Sequence, residues 1–551
     1  MTIQPQANPK TASSRIASGL AWLHAWRMRL AAPSPRVVTI IVWLTSAYFI
    51  YPGVQVNADS HLYLTVSIVD RGTLNIDPFA QPSSDISAWH GHYYSDKAPG
   101  LSLLATPLYV LLKLILLHGS SYLAAPTMAE WVRYGLAVGL AAVPTGAVSW
   151  LLYKMLERMS VTRGWCAGLA LTYGLGTIAR PFATLFFSHQ LSTLFCFGAF
   201  ALAFLLRREQ LDRRFALAVG LLLGYALITE YPSAIAGAAI ATYVVTIPHR
   251  GRSLGLLMGV AALPPLAVAA VYNTLCFGNP LRIGYANLAG LQTLRQGQAQ
   301  GFFGVTYPHL DALWGITFSQ YRGLFFLSPV LLLAVPGCLS LMRRIGWRAE
   351  GVVCAWVMVG FLLFNASYFA WDGGASMGPR QALISIPFFV LPIGELVRRH
   401  GQSRPWRRIS AVLAAYSIAM VELSAAVSPL FSGTFSPLTQ WVLPRLAGMR
   451  VDPGHPSRTA HLIDAFLRQT PWFLGAQIES NWGQMLHLPG LTQLYPLVSI
   501  IGLLLLWPRV GIHVMAAIRA LWTCATNCVQ GLCSAGLQAL ARACRNSRAR
   551  T

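Results

Sequence analysis

Charged side chains are scarce in this sequence. Asp, Glu, Lys and Arg make up only 11% of its 551 residues, whereas soluble domains carry about 25%. No polar stretch between the apolar runs is long enough to form a separate soluble domain, which excludes a soluble multidomain protein. Hydrophobic residues account for 55%, and apolar runs of 15–25 residues recur from Val37 to Trp507. Such runs can cross a hydrocarbon core about 30 Å thick. The sequence therefore predicts an all-α polytopic membrane protein.

Acidic residues are especially few. The chain has 18 Asp and Glu against 41 Lys and Arg, a formal net charge of +23. Because no basic face is interleaved with exposed aromatic residues, we do not expect nucleic-acid binding. The positive-inside rule explains the excess better, since the cytoplasmic loops of membrane proteins are rich in Lys and Arg.

Cysteine motifs for metals are also lacking. At least four of the nine cysteines lie within apolar runs, where cysteine packs as a small hydrophobe. The last four form no CxxC pair and have no histidine among them; they are Cys524, Cys528, Cys533 and Cys544. The cysteines therefore favour neither a zinc site nor a disulfide framework.

The apolar runs predict about 12 transmembrane helices, between 11 and 13 in all. They are 37–54, 133–153, 164–179, 185–206, 215–229, 232–247, 253–275, 323–342, 351–370, 381–397, 409–430 and 492–508. A further apolar stretch, 99–117, begins at Pro99, and proline is tolerated in the first turn of a helix. We predict that it forms a juxtamembrane helix at the outer interface instead of a span.

The basic segments decide this assignment. If 99–117 crossed the membrane, segments 154–163 and 207–214 would fall outside, against the positive-inside rule. With 99–117 at the interface, seven basic segments share the cytoplasmic side and hold 28 of the 41 Lys and Arg residues. They are 1–36, 154–163, 207–214, 249–252, 343–348, 398–408 and the tail. Both termini are then cytoplasmic.

The predicted organisation has four parts. They are a basic cytoplasmic N-terminus at 1–36, a main transmembrane module at 37–400, C-terminal transmembrane helices at 401–508 and a basic cytoplasmic tail at 509–551. Long extracytoplasmic loops are predicted at 55–98, 276–322 and 431–491. Twelve of the 18 acidic residues then lie outside, so we expect the functional surface to face the periplasm or the exterior.

Two candidate residues lie at the two ends of the first outer loop. Asp59 follows the first apolar run by a few residues, where partial desolvation would raise its pKa and make it a better proton acceptor. Alternatively, it caps a turn that contains His61 and Tyr63. Lys97, beside Asp96 in WHGHYYSDKAPG, lies at the membrane surface, where it could meet a phosphate or snorkel to the interface.

Three arginines lie beside glycines near an outer boundary. They are Arg282 in FGNPLRIGY, Arg322 in YRGLFFLSP and Arg380 in WDGGASMGPR, which also contains Asp372. Glycine permits close backbone approach, and guanidinium binds phosphate bidentately. The alternative is turn chemistry with an interfacial anchor. Because three such sites lie on one face, the sequence favours phosphate binding and turn chemistry equally.

Further candidates lie at the outer edge. Arg180 and His189 belong to ARPFATLFFSHQ, and Glu230 lies between two spans where the chain must turn. A carboxylate there has to be solvated or paired, because burial without compensation is costly. Glu395 and Glu422 lie within predicted spans, and we interpret them as helix-packing or inner-edge groups.

Together, these motifs resemble the GT-C superfamily of membrane glycosyltransferases that use polyprenyl-phosphate sugars. That group includes protein O-mannosyltransferases and lipid A aminoarabinose transferases. NADSHLY, with Asp59 just after the first span, is similar to the family, and YYSDKAPGLSLLATPLY is similar to the aromatic–acid–Lys–Pro segment that begins its juxtamembrane helix. FGNPLRIGY, YRGLFFLSP and WDGGASMGPR look like segments of bacterial members. The resemblance covers most of 37–400 as scattered short motifs. Many members carry two adjacent acids where this chain has Asp59-Ser60.

The resemblance implies inverting transfer of one sugar from a polyprenyl-phosphate donor to a protein, lipid or glycan acceptor, at the periplasmic face of a bacterial inner membrane. Asp59 would be the general base. Lys97 and Arg380, and then Arg322 and Arg282, would bind the donor phosphate, which gains charge as it leaves. The other site candidates are His61, Tyr63, Asp96, Arg180, His189, Glu230 and Asp372. The resemblance identifies no particular cofactor, and a divalent metal at the site stays open, although Ser60 stands where many members carry a second acid.

Besides a non-enzymatic assembly factor, two other classes of protein stay open. One is a secondary transporter or lipid flippase, although such proteins tend to have repeated halves and ionisable groups near the membrane midplane, whereas this chain concentrates polar residues in outer loops. The other is an O-antigen ligase or polymerase-type enzyme that uses diphosphate-linked oligosaccharides. The sequence identifies neither the sugar nor the acceptor.

Overall fold

The structure, a computed structural model, describes residues 32–51, 55–81, 85–209, 211–430, 436–449 and 476–506. The chain divides into two compact units. The larger unit, Val38–Leu497, contains every site residue discussed below. The other unit consists of Met1–Val37 and Val498–Thr551, of which 32–37 and 498–506 are described. The predicted tail at 509–551, most of the predicted N-terminus at 1–36 and about half of the predicted loop at 431–491 lie outside the described residues.

The described chain is mostly helical, which confirms the prediction from the apolar runs. The helices of the first half are α1 (Pro35–Ala47), α2 (Val56–Arg71), α3 (Gly100–Leu116), α4 (Ala129–Ala137), α5 (Val143–Arg158), α6 (Arg163–Leu175), α7 (Ala179–Phe182), α8 (Ser188–Arg208), α9 (Arg214–Thr229), α10 (Ala234–Val245) and α11 (Gly251–Phe277). Those of the second half are α12 (Gln292–Gln298), α13 (Leu310–Thr317), α14 (Leu324–Leu327), α15 (Ala334–Arg343), α16 (Arg348–Ser367), α17 (Ile386–His400), α18 (Arg404–Val427), α19 (Leu443–Leu446), α20 (Trp482–Met485) and α21 (Tyr495–Leu506).

Six helical segments of the described chain are long and apolar enough to cross a membrane. They are Pro126–Arg158, Ser188–Arg208, Gly251–Phe277, Arg348–Ser367, Arg380–His400 and Arg404–Val427. Six shorter apolar helices accompany them: Pro35–Ala47, Gly100–Leu116, Arg214–Thr229, Tyr231–Val245, Pro329–Arg343 and Gly490–Leu505. The count of about twelve spans and the four-part division of the chain stay predictions.

Helix α11 shows why such segments suit a bilayer. It directs Leu256, Val260, Leu263 and Val268 outward, although water would penalise so continuous an apolar face. All backbone hydrogen bonds of a helix are made within the segment, so the same face is stable against lipid.

Helix α3 forms where the sequence predicts a helix after Pro99. One side packs against α2, α4 and α9, and Nζ of Lys113 lies 2.7 Å from Oδ1 of Asp70 on α2. The other side exposes Leu111, Leu114 and Ile115. The helix is confirmed, and its place at the interface stays a prediction.

An antiparallel hairpin precedes α3. Strands β1 (Ile86–Trp89) and β2 (His92–Ser95) pair Ile86 with Ser95 and Trp89 with His92. His90 and Gly91 form the turn, both with positive φ, as two-residue hairpin turns of this kind require. Because the Ile86–Ser95 pair ends the ladder, the hairpin brings the residues before β1 and after β2 together.

The basic segments that the structure describes meet at one end of the helices, which we call the basic end: 154–163, 207–214, 249–252, 343–348 and 398–408. Arginine side chains join these segments to one another. Segment 207–214 contacts three others, through Arg158 Nε to Glu209 Oε1 at 2.7 Å, Arg250 Nη2 to the Leu211 oxygen at 2.7 Å and Arg208 Nη2 to the Gly346 oxygen at 2.5 Å. Arg344 joins segment 343–348 to segments 154–163 and 398–408, since its Nη1 lies 3.3 Å from the Met159 oxygen and 3.0 Å from Oε2 of Glu395, whose Oε1 lies 2.8 Å from Nη2 of Arg398. A shared location is what one membrane side requires of these segments.

Candidate functional site

Lys97 is held between two carboxylates. Its Nζ lies 2.7 Å from Oδ2 of Asp85 and 2.8 Å from Oδ2 of Asp96, and all three side chains are largely buried. The hydroxyl of Ser60 donates to the other oxygen of Asp96 at 3.0 Å. The ring of Tyr285 lies 5.8 Å from the ammonium. We call Ser60, Asp85, Asp96 and Lys97 the acid–lysine cluster. The hairpin creates it, because its open end places Asp85 beside Asp96.

Burial and charge shift the pKa of each ionisable group in this cluster. Burial favours neutral Lys97, but the two carboxylates outweigh it and raise its pKa well above the usual value. Burial likewise acts to raise the pKa of Asp85, yet the charges of Lys97 and Arg380 lower it overall. For Asp96, burial together with the charge of Asp85 outweighs Lys97 and raises the pKa. Asp96 is therefore the carboxyl of the pair that more readily holds a proton.

Asp59 lies in the first turn of α2 and pairs with Arg133 of α4. Its Oδ1 is 2.9 Å from Nη2 of Arg133, and both side chains are largely buried. Its Oδ2 accepts a hydrogen bond from the backbone N–H of Gln55 at 3.1 Å. Burial raises the pKa of Asp59, which the charge of Arg133 offsets only in part. Asp59 lies inside the helix, and the N-cap position belongs to Gln55.

His61 and Tyr63 are on the same helix as Asp59. His61 is buried, and the Ser102 hydroxyl donates to its carbonyl oxygen at 2.9 Å. Burial, with the charges of Lys97 and His189, lowers the pKa of His61 to about 3, so its imidazole is neutral. The ring of Tyr63 stacks on Phe79 with centroids 4.5 Å apart, and burial raises its pKa to about 12.

Arg380, His189 and Glu230 lie close enough to share the electrostatics of the acid–lysine cluster. Arg380 lies over the ring of Phe187 at 5.7 Å, and its charge acts on Asp85 as described above. His189 Nδ1 lies 3.4 Å from Oε1 of Glu230, and the Ser188 hydroxyl donates to the same oxygen. Glu230 thus accepts a hydrogen bond from Ser188 and stays partly exposed, so its carboxylate is not buried without compensation.

Arg322 anchors a turn. It is fully buried, its Nε donates to the carbonyl oxygen of Asp372 at 3.0 Å, and its Nη2 donates to that of Gly374 at 2.7 Å. The hydroxyl of Tyr321 donates to the Asp372 carboxylate at 3.0 Å. These contacts correspond to the turn interpretation of this arginine, and its binding of phosphate stays a prediction.

The remaining predicted arginines also have partners. The guanidinium of Arg282 stacks on Trp89 of the hairpin at 4.2 Å. Arg180, which is fully buried, donates from Nε to Glu422 at 2.9 Å, and its guanidinium lies 5.0 Å from the ring of Phe49. Arg180 thus joins α7 to α18.

A cleft of about 520 Å³ adjoins the acid–lysine cluster through Tyr285. Its other lining residues are Ala286, Leu288, Arg295, Gln298, Ala299, Gly301, Phe302 and Phe303. Aromatic rings beside an arginine and an amide suit a ligand that has both flat apolar faces and polar groups.

No group of three or more His, Cys, Asp or Glu side chains in the described ranges could hold a metal ion. The acids of the site instead pair with cations, namely Asp59 with Arg133 and Asp96 with Lys97. The five described cysteines carry free, buried thiols, and the four C-terminal ones lie outside the described residues.

The sequence did not identify Asp85 or Arg133 as site residues. Arg133 begins a predicted apolar span, and a lone charge at such an edge needs a partner; this signal could have found it. Asp85 carries no comparable signal, because only the hairpin register brings it to Lys97.

No protein-family model matches this sequence, and no curated protein sequence matches it. Similar solved structures include an oligosaccharyltransferase of Archaeoglobus fulgidus in complex with zinc and sulfate, at 13% identity and a TM-score of 0.45, covering 76% of this chain and 56% of that chain. ArnT from Cupriavidus metallidurans in the apo state is 14% identical, with a TM-score of 0.44, over 90% of this chain and 75% of that chain. The same ArnT from Cupriavidus metallidurans bound to undecaprenyl phosphate is 13% identical, with a TM-score of 0.40, over 82% of this chain and 89% of that chain. Both enzymes are GT-C glycosyltransferases, the group that the sequence motifs resemble. This chain spans little more than half of the archaeal enzyme.

Proposed function

We propose that this chain is a membrane glycosyltransferase that moves one sugar from a polyprenyl-phosphate donor to an acceptor at the extracytoplasmic face, with inversion. One observation carries the proposal: where Ser60, next to Asp59, donates to Asp96, three carboxylates and three cations lie within electrostatic reach of one another. They are Asp59, Asp85, Asp96, Lys97, Arg133 and Arg380. Such a region can both accept a proton and stabilise a leaving anion.

Asp59 is the proposed general base. The acceptor hydroxyl attacks C1 of the sugar while the carboxylate takes the hydroxyl proton. The bond between C1 and the phosphate oxygen breaks, and its electron pair leaves with the phosphate. Attack from the face opposite the phosphate inverts C1. Burial supports the assignment, since it raises the proton affinity of Asp59.

Lys97 and Arg380 are the proposed partners of the leaving phosphate. With all six groups ionised, the region carries no net charge, and a phosphate would make it negative. A proton on Asp96, whose pKa burial raises, leaves one positive charge for the anion. In a water-poor site that charge acts with little screening.

An apolar surface that suits the donor tail lies along α3. Helix α3 begins three residues after Lys97 and exposes Leu111, Leu114 and Ile115. A polyprenyl chain lying along these side chains would hold its phosphate near Lys97. The acceptor would then enter from the cleft that adjoins the acid–lysine cluster at Tyr285.

The test is transfer itself. Membranes containing the chain are given radiolabelled polyprenyl-phosphate sugars, and label is followed into lipid, protein and glycan fractions, with membranes lacking the chain as control. Transfer from a monophosphate donor is the expected result. Movement of donor across the membrane without transfer would favour a flippase or transporter, and transfer from diphosphate oligosaccharides alone would favour a ligase or polymerase. Either outcome overturns the proposal.

A further inference from the structure

At the basic end, three arginines that have no part in the proposed sugar transfer converge on one carboxylate. Glu395 is 0% exposed. Its oxygens lie 2.8 Å from Nη2 of Arg398, 2.7 Å from Nε of Arg399 and 3.0 Å from Nη1 of Arg344. One negative charge thus faces three positive charges.

A tryptophan extends this group to a fourth arginine. The guanidinium of Arg208 lies 4.0 Å from the ring centroid of Trp347, and that of Arg344 lies 4.4 Å from it. Arg208 also pairs with Glu350 at 2.9 Å, whose carboxylate accepts from the Tyr243 hydroxyl at 2.7 Å. We call Arg208, Arg344, Arg398, Arg399 and Trp347 the arginine platform. Its four cations and the two glutamates leave two positive charges in excess.

The platform keeps hydrogen-bond donors for a ligand. Its four arginine side chains are 19–39% exposed, so they reach the surface. Each guanidinium has five N–H groups, and the described contacts with carboxylates and carbonyls use only part of them. Planar guanidinium groups suit phosphate oxygens better than ammonium groups do.

Apolar side chains beside the platform indicate where that ligand resides. Ile345 is 98% exposed at the tip of the loop between α15 and α16, next to Arg344. The outward face of α16 continues with exposed Val352 and Trp356. Charged groups thus border an apolar helix surface, which is the arrangement of the headgroup region of a bilayer.

We propose that the arginine platform binds the headgroup of an anionic phospholipid in the leaflet at the basic end. Two phosphodiester groups match its two excess charges, so a diphosphate phospholipid is the best fit. Ile345 then inserts between acyl chains. By the positive-inside rule this leaflet is the cytoplasmic one, so the site is independent of the proposed sugar transfer.

Native mass spectrometry of the full chain tests the proposal, with cardiolipin as the diphosphate lipid and phosphatidylcholine as the neutral one. Arg398→Gln removes one platform cation and leaves Glu395 with Arg344 and Arg399. Cardiolipin affinity should fall by about fivefold for each arginine lost, in line with the worth of a basic residue at a lipid surface. Arg163→Gln is the matched control at the same end, because Arg163 is 80% exposed and lies 3.9 Å from Glu157. It should bind as the wild type does.

A second variant, Ile345→Ser, keeps every charge and separates the lipid from other phosphates. It should weaken cardiolipin binding, whereas soluble glycerophosphodiester should raise the unfolding temperature of neither protein. Unchanged cardiolipin affinity in Ile345→Ser, or equal affinities in Arg398→Gln and Arg163→Gln, would overturn the proposal. Equal stabilisation by the soluble phosphodiester and by the lipid would overturn it too.

Discussion

Asp59 and Arg133 form an ion pair in which Oδ1 lies 2.9 Å from Nη2 and both side chains are largely buried. The pair joins α2 to α4. Burial makes the carboxylate hold a proton more readily, and the guanidinium opposes this. The proton affinity of Asp59 therefore depends on the charge of a residue far along the chain.

Replacing Asp59 by Asn should abolish sugar transfer while the protein inserts and accumulates normally. Asn keeps the shape of the side chain, and its amide oxygen can still accept from Arg133, but it cannot take up the proton. A general base contributes about 10²–10⁴-fold to a rate. Initial transfer rates at equal protein amount measure this loss. Asp77→Asn is the control, since Asp77 pairs with the exposed His92 and should be dispensable. A near-wild-type rate for Asp59→Asn would reject the assignment.

Replacing Arg133 by Gln should move the pH dependence of transfer. The charge of Arg133 lowers the pKa of Asp59, so removing it raises that pKa further. Because the base acts as a carboxylate, the acidic limb of the rate profile should shift to higher pH, as measured between about pH 4 and 8. Arg71→Gln is the control: Arg71 is exposed at the end of α2, the helix that carries Asp59. Its loss should leave the pH profile of transfer unchanged. If both profiles stay in place, Asp59 is not the titrating base.

Replacing Lys97 by Met should destabilise the protein. Two largely buried carboxylates lose their shared cation, and breaking a buried pair costs about 3–5 kcal/mol. Adding Asp85→Asn should restore part of the loss, because one carboxylate fewer is left unpaired. Thermal unfolding in detergent measures both.

Lys113→Met is the matched control for that comparison. It removes the lysine partner of Asp70, but the Tyr109 hydroxyl and the Tyr122 N–H still donate to Asp70. The loss should be smaller than for Lys97→Met. A double variant no more stable than Lys97→Met alone would show that the unpaired carboxylate of Asp85 is not the cause of the loss.

Replacing Arg380 by Ala should weaken donor use without misfolding. The KM for the donor should rise, because a cation near the acid–lysine cluster is lost, and Arg380→Lys should recover part of the effect. Donor titration of the transfer rate, at matched expression, measures both. A collapse in abundance of Arg380→Ala would instead support a structural role in the turn of GGASMGPR.

Replacing Gly284 by Ala should disturb Lys97 from a distance. A Cβ there would lie 2.7 Å from the carbonyl oxygen of Asp96 and 2.8 Å from its Cα, so the backbone of the cluster has to move. Overpacking of this kind costs about 1–3 kcal/mol, and transfer should slow as well. Gly164→Ala, within α6, meets open space, and because Ala is the better helix former it should lower neither the unfolding temperature nor the rate. Equal behaviour of the two variants would contradict the tight contact.

The helices were predictable because apolar runs of membrane length leave the backbone no other stable state. The helix after Pro99 was predictable from the apolar stretch 99–117, which has its proline in the first turn, where a helix tolerates it. The hairpin was not predictable, because its strands have only four residues each and are held in place by hydrogen bonds to residues far away in the sequence. Ser87 donates to the carbonyl oxygen of Gly284 at 2.7 Å, and Ile86 accepts from the N–H of Ala289 at 2.9 Å.

Site residues were predictable from the sequence where a charged residue lies next to an apolar run, because charges are rare there. Asp59 and Lys97 met that condition, since each lies at the edge of an apolar run. Their partners did not, because Asp85 reaches Lys97 through the hairpin register and Arg133 reaches Asp59 through helix packing. The contacts of Arg322 were equally hidden, because its carbonyl partners belong to a turn some fifty residues further on.

The leucine-rich outer side of α3 has a kinetic consequence for a lipid-borne substrate. Under the proposed function, a donor that slides along this surface is supplied by two-dimensional diffusion, so its mole fraction among the surrounding lipids, and not its amount per volume of buffer, would set the rate of sugar transfer. Inert lipid added to a fixed quantity of donor would therefore lower the donor's concentration in the membrane plane and slow transfer, even when the amount of donor per volume is unchanged.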